Sequence, residues 1–173
     1  MLFISGIKHS GKTTAARLIA SSLKLPHVDN DALILEHFHQ DDIRSFFKSE
    51  GKERFMEAEY EALLSYLDKN IDSVISLGGG ACDNAPLLKL CKERGKLIYI
   101  ARPENVLLPC ILKHGVPPFL DSQDIEGSFH HLFIERDKKY RENANLIIEL
   151  GPFKEKEETA REILAFLEAH NVR

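Results

Sequence analysis

Residues 6–13 read Gly6-Ile7-Lys8-His9-Ser10-Gly11-Lys12-Thr13, and no other stretch constrains the chain as much. The spacing is G-x-x-x-x-G-K-[ST], with an apolar run, "LFISG", leading into it and a helix-patterned run, "KTTAARLIASSLK", following it. Strand before and helix after is the setting in which this pattern has a physical meaning. Glycines let the backbone curl so that successive N–H groups point inward, and the helix N-terminus adds its partial positive charge. The product is a nest for phosphate oxygens. In such a nest Lys12 reaches the β- and γ-phosphates of a nucleotide, and the Thr13 hydroxyl is placed to ligate Mg2+.

The rest of the chain repeats the strand-then-helix rhythm. Short apolar runs at 2–6, 25–29, 73–80, 96–101 and 145–150 alternate with helical patterns at 12–24, 84–95, 103–115, 129–142 and 156–170. Between Asp41 and Asn70 lie two helical patterns broken near "SEGK", and 116–128 reads as a loop. Pro109 is expected to kink or shorten the helix that holds it. Strands that are apolar on both faces and alternate with helices specify an α/β fold, a parallel sheet covered on both sides. Ligands of such sheets sit beyond the carboxyl ends of the strands. The fold therefore gathers the loops 6–13, 29–31, 78–80 and 101–103 on one edge.

Two of those loops carry further candidates. "VDND" supplies Asp29 and Asp31, which share a face if the chain stays extended there. One would hold metal-bound water and the other an acceptor hydroxyl; helix N-capping is the competing role. "LGGG" ends in Gly78, Gly79 and Gly80, whose backbone a small ligand can approach closely.

The bulk properties narrow the partners. With 173 residues the chain is the size of a single domain, 1–173, and no repeat or linker divides it. The formal net charge of −4 gives no basic surface for nucleic acid or an anionic membrane. Cys82, Cys91 and Cys110 are odd in number and lack CxxC spacing, which points to reduced thiols and a cytoplasmic location. No apolar run approaches the length of a membrane span. The eight histidines, His37, His39, His130 and His131 among them, lack metal-site spacing.

The ordered set of P-loop, "DND", "GKERFMEAE" on a helix, "LGGG" and "ERDKKYRENANLII" resembles the shikimate kinase family from Gly6 to about Ile148. The resemblance implies a three-layer αβα nucleoside monophosphate kinase-like fold with a five-stranded parallel sheet and a lid at about 113–128. It implies transfer of the ATP γ-phosphate to the 3-hydroxyl of shikimate, with ATP and Mg2+ as cofactors and a monomer as the working unit. Gly6 and His9, Ser10, Gly11, Lys12, Thr13 and Thr14 would wrap the nucleotide phosphates, with Thr13 on the metal and Asp29 in its outer shell. Asp31 would hold the acceptor hydroxyls and serve as base, beside Lys12. Gly78, Gly79 and Gly80 would line the acceptor pocket, and Arg136 would pair with the shikimate carboxylate.

Two positions depart from the family pattern. Met56 stands where a second carboxylate-binding arginine is expected, and Arg54, two positions away, points to the other side of a helix. Losing one charge-assisted hydrogen bond is worth about 1.5–3 kcal/mol, or roughly 10- to 150-fold in affinity. The lid segment Pro117-Pro118-Phe119-Leu120 has no arginine either, leaving Lys8, His9, Lys113 and His114 as the nearby bases. A different small hydroxylated acceptor, such as a sugar acid or a nucleoside monophosphate, and a silent nucleotide-binding regulator are the alternatives these gaps raise.

Overall fold

The computed structural model describes residues 1–114, 116–117 and 120–172. Five strands, β1 (Leu2–Ser5), β2 (His27–Asp29), β3 (Val74–Ser76), β4 (Lys96–Ala101) and β5 (Leu146–Glu149), form one parallel sheet in the order β2-β3-β1-β4-β5. The helices are α1 (Lys12–Leu23), α2 (Asn30–Phe38), α3 (Ile43–Leu67), α4 (Ala85–Arg94), α5 (Glu104–His114), α6 (Ile125–Asn143) and α7 (Lys156–Ala169), with a short 3-10 turn at Ala81–Asp83.

Alternation along each strand splits the core in two. Leu2, Ile4, Ile98 and Ile100 pack on α1 and α7, through Ile19, Ile163 and Leu167. Phe3, Ile75 and Leu97 face the other way, onto Leu63 and Leu67 of α3 and Leu87, Leu88 and Cys91 of α4. A third cluster, with Tyr99, Leu107, Phe129 and Tyr140, seats α5 and α6 beside the end of β4. Strand order reverses at β1, whose neighbours β3 and β4 come later in the chain, and a crevice opens there beyond the strand ends.

Several boundaries differ from the sequence reading, each for a local reason. The helix read from 129 begins at Ile125, because the Asp124 carboxylate accepts the Gly127 amide at 3.0 Å and caps it. Pro109 does not shorten α5, which runs to His114 with Pro109 on its exposed side. The break in the 41–70 segment is one residue, Gly51, with φ 80° inside α3, a backbone region that glycine occupies without strain. Asp29 and Asp31 are not two positions of one extended strand. Asp29 caps α2, its Oδ1 accepting the Asp31 amide at 3.0 Å, and Asp31 lies in the first helical turn. Of the lid segment, Pro117 and Leu120 are buried, whereas Pro118 and Phe119 lie outside the described residues. No helix among the described residues is long and apolar enough to cross a membrane.

Candidate active site

The 6–13 loop leaves β1 and enters α1 through Gly11, whose φ of 87° requires glycine at low cost. His9 also takes positive φ, 67°, so the turn is tightly wound, and the Ser10 amide donates to the Ile7 carbonyl at 3.0 Å. Three polar atoms here are buried without a partner among the described residues: Ser10 Oγ, His9 Nε2 and, nearby, Asp31 Oδ1. Buried polar atoms are almost always paired, so unmet ones in a glycine-wound loop are what a phosphate site leaves for its ligand. The loop opens onto a cleft of about 550 Å3 lined by Lys8, His9, Lys12, Thr13, Thr14, Cys110, His114 and Phe153, with Gly11 at its floor.

Electrostatics suit an anion. Lys12 is enclosed, and burial lowers the pKa of its ammonium while Asp31 and Asp29 pull it back up. Burial likewise lowers His9, with Lys8, His114 and Lys12 adding to the effect. The His9 ring stacks on His114 with centroids 5.2 Å apart. The His114 Nδ1 donates to the Cys110 carbonyl at 2.8 Å, since a carbonyl can only accept. Of the four bases considered for the missing lid arginine, Lys8, His9 and His114 line the cleft and Lys113 does not.

The acceptor side begins where β2 and β3 end. The Asp29 Oδ2 accepts the Ser76 hydroxyl at 2.8 Å, which fixes the carboxylate at the sheet edge. Burial raises the Asp31 pKa, Asp29 adds to the rise, and Lys12 opposes it. A methyl group placed on Gly78 would lie 3.3 Å from Asp31 Oδ1 and 3.1 Å from Glu59 Oε1. Placed on Gly79, it would lie 3.2 Å from the Lys8 amide nitrogen. The triple glycine therefore joins the phosphate loop to the carboxylates in one continuous wall.

Arg136 closes the far end. Its guanidinium donates to the Gly79 carbonyl at 3.3 Å and to Asp83 Oδ2 at 3.1 Å, and lies 3.3 Å from the Cβ position of Gly80. The Tyr140 hydroxyl donates to the Gly79 carbonyl at 3.2 Å, and its ring stacks on Tyr99. Arg54 turns away from this site, to Glu57, Glu61 and the Phe38 ring.

Four residues of the site escaped the sequence reading. Glu59 is 2% exposed, and burial pushes its carboxyl up to about 7, against a hydrogen bond from Asn84 and with the charges of Asp31 and Asp83 contributing. Asn84 caps α4, its Oδ1 accepting the Leu87 amide, which turns its NH2 toward the Met56 carbonyl at 2.7 Å and Glu59 Oε2 at 3.1 Å. Asp83 holds both Arg136 and Lys139. Arg102, buried at the end of β4, donates Nε to the Ser10 carbonyl at 2.9 Å and Nη1 to the Gly151 carbonyl, bracing the phosphate loop from behind. Only Asn84 had a local signal, as an Asn preceding "APLL" at a helix start.

A parallel sheet with this strand order, a phosphate loop at its switch point and an acceptor pocket beside it define a P-loop phosphotransferase of the nucleoside monophosphate kinase-like class. The family is narrower than the class. A family model described as shikimate kinase matches residues 8–168, and the chain belongs to that family. It is 34% identical over 152 residues to the shikimate kinase of Cupriavidus pinatubonensis, covering 87% of this chain and 77% of the relative. Against the shikimate kinase of Francisella tularensis subsp. novicida it is 30% identical over 148 residues, 86% of this chain and 84% of the other. The shikimate kinase from Acinetobacter baumannii, solved in complex with shikimate, superposes with a TM-score of 0.82 at 26% identity, covering 99% of this chain and 94% of that one.

Proposed function

We propose that the protein transfers the γ-phosphate of ATP to the 3-hydroxyl of shikimate. The observation that supports this most is the single wall from the phosphate loop through Gly78 and Gly79 to Arg136, with Asp31 between donor and acceptor ends. Within it, Lys8 and Lys12 neutralise phosphate charge, and the backbone N–H groups between His9 and Thr14, apart from that of Ser10, which Ile7 holds, would cradle the oxygens. Thr13 and, through water, Asp29 would hold Mg2+, an ion that keeps several waters and takes few protein ligands. Bound Mg-ATP supplies the electrophilic phosphoryl group and the metal charge that stabilises its transfer.

Asp31 accepts the hydroxyl proton. Its raised pKa makes it a stronger base than an exposed carboxylate, and Lys12 opposes that rise. Arg136 pairs with the acceptor carboxylate and so fixes which hydroxyl meets Asp31. Phe153 and Cys110, which also line the nucleotide cleft, would meet the base. The lid expected at about 113–128, of which residues 115, 118 and 119 lie outside the described residues, would begin with His114, whose stack on His9 sets it beside the phosphate loop. The three free cysteines support a cytoplasmic location, and a monomer would be the working unit. Product analysis tests the reading: phosphorus NMR of the reaction mixture shows a new monoester coupled to the proton at carbon 3. A monoester at another hydroxyl, or none, contradicts it.

Met56 favours a less anionic acceptor, the second reading. That acceptor would be another small hydroxylated compound, such as a sugar acid, turned over faster than shikimate in side-by-side assays.

A further inference from the structure

A hydrogen-bonded relay enters the metal side of the site from the edge of the sheet. His27 Nε2 lies 3.1 Å from the Ser76 hydroxyl, and that hydroxyl donates to Asp29 Oδ2 at 2.8 Å. A serine hydroxyl has one proton and a carboxylate only accepts, so the nearer Asp29 takes that proton and the His27 ring donates from Nε2. We infer that His27 is a positioning residue, one that acts through Ser76 to hold the Asp29 carboxylate for metal-bound water. The inference rests on the proposed role of Asp29 in the ATP-dependent reaction and deepens it.

Strand register brings the three residues together. β2 and β3 pair His27 with Val74 and Asp29 with Ser76, and positions two apart on a strand share a face. Val74 clusters with Ala16 and Ile19 of α1, so this is the face whose covering helix begins with Lys12 and Thr13. Packing an edge strand on α1 asks for an apolar or β-branched residue at 27 and gives no reason for an imidazole. The relay gives one.

Both oxygens of Asp29 are held, Oδ2 by Ser76 and Oδ1 by the Asp31 amide at 3.0 Å. Mg2+ keeps several waters in near-ideal octahedral geometry, so a carboxylate that receives such a water serves best with its plane fixed. Ser76 is fully buried and has a second acceptor within reach, the Val28 carbonyl at 3.5 Å. A donor at His27 fills a lone pair of the Ser76 hydroxyl and leaves its proton for Asp29. The neutral Nε2–H ring and the charged ring both donate, so the relay does not turn on the titration of His27.

The test is calorimetric binding of ADP to the full chain, with excess Mg2+ and with EDTA, for His27→Leu, His27→Gln and Ser76→Ala. His27→Leu is expected to weaken Mg-ADP binding about fivefold, the scale of one hydrogen bond, and to leave ADP binding in EDTA unchanged. In steady-state assays the Mg2+ concentration for half-maximal turnover rises by the same factor, with the shikimate KM unchanged. His27→Gln, whose side-chain NH2 has a similar reach, returns both to the parent values. Ser76→Ala cuts the relay with little change of volume and weakens Mg-ADP binding about tenfold. Unchanged Mg-ADP affinity in His27→Leu or in Ser76→Ala overturns the inference, as does an equal loss in EDTA or a His27→Gln that behaves as His27→Leu. Equal ADP affinity with Mg2+ and with EDTA in the unmodified protein removes the metal role of Asp29 and the inference with it. The binding measurement needs no acceptor, so a protein without shikimate-dependent turnover fails the function reading separately from this test.

Discussion

Glu59 and Asp31 flank Gly78 so closely that a single methyl group there would touch both, 3.1 Å from Glu59 Oε1 and 3.3 Å from Asp31 Oδ1. Two carboxyl groups that share a buried site do not both ionise readily. Burial raises both: Lys12 opposes the rise of Asp31, whereas Glu59, with only the Asn84 hydrogen bond and the charge of Arg136 against it, is displaced from 4.5 to about 7.

That displacement makes stability depend on pH. Below about pH 4.5 folded and unfolded chains both carry the Glu59 proton. Between there and about pH 7 only the folded chain holds it, so stability falls as pH rises through that window. At about 1.4 kcal/mol per pH unit of displacement, the loss above pH 7 amounts to roughly 3 kcal/mol. Glu59→Gln should melt close to the parent at pH 5 and several degrees above it at pH 8. Equal differences at the two pH values contradict the assignment.

Arg102 should matter for the nucleotide although it lines no part of the cleft. Arg102→Met strands the Ser10 and Gly151 carbonyls, at about 1–3 kcal/mol each for a buried acceptor left unmet. A lower melting temperature with a weaker Kd for ATP, both by calorimetry, is the expected pair of results. Full ATP affinity in the variant would remove the brace from the account.

Arg136→Met separates binding from chemistry. On the proposed role of Arg136 it removes the partner of the acceptor carboxylate, so the shikimate KM should rise by roughly 10- to 150-fold with the ATP KM unchanged. The variant also frees Asp83 from one partner, but Lys139 at 2.7 Å still holds it, and the fold should survive.

Asp31→Asn keeps the shape of the pocket and removes the base. A fall in kcat of about 10²- to 10⁴-fold, with ATP binding retained, is expected. A kcat within a few-fold of the parent would show that the proton leaves by another route.

How much of this was legible in the chain depends on range. The phosphate loop, the strands and the "LGGG" turn are contiguous, and each carries its own pattern of glycine or apolar residues, so they read directly. Asp29 and Asp31 were visible as a pair with capping as a competing role, but which of them caps the helix was not, because an Asx cap and a continuing strand look alike over four residues. Arg102 meets Ser10 across 92 positions, and Arg136 meets Asp83 across 53, so neither partnership leaves a local trace. The state of Glu59 depends on burial created by α2, α3, α4 and the glycine turn together.

The most direct test of the central claim is release of ADP from Mg-ATP by the purified protein, with shikimate varied from none to millimolar levels. The account predicts release that depends on shikimate and saturates with it. No stimulation at any concentration, in protein shown to bind ATP, contradicts it.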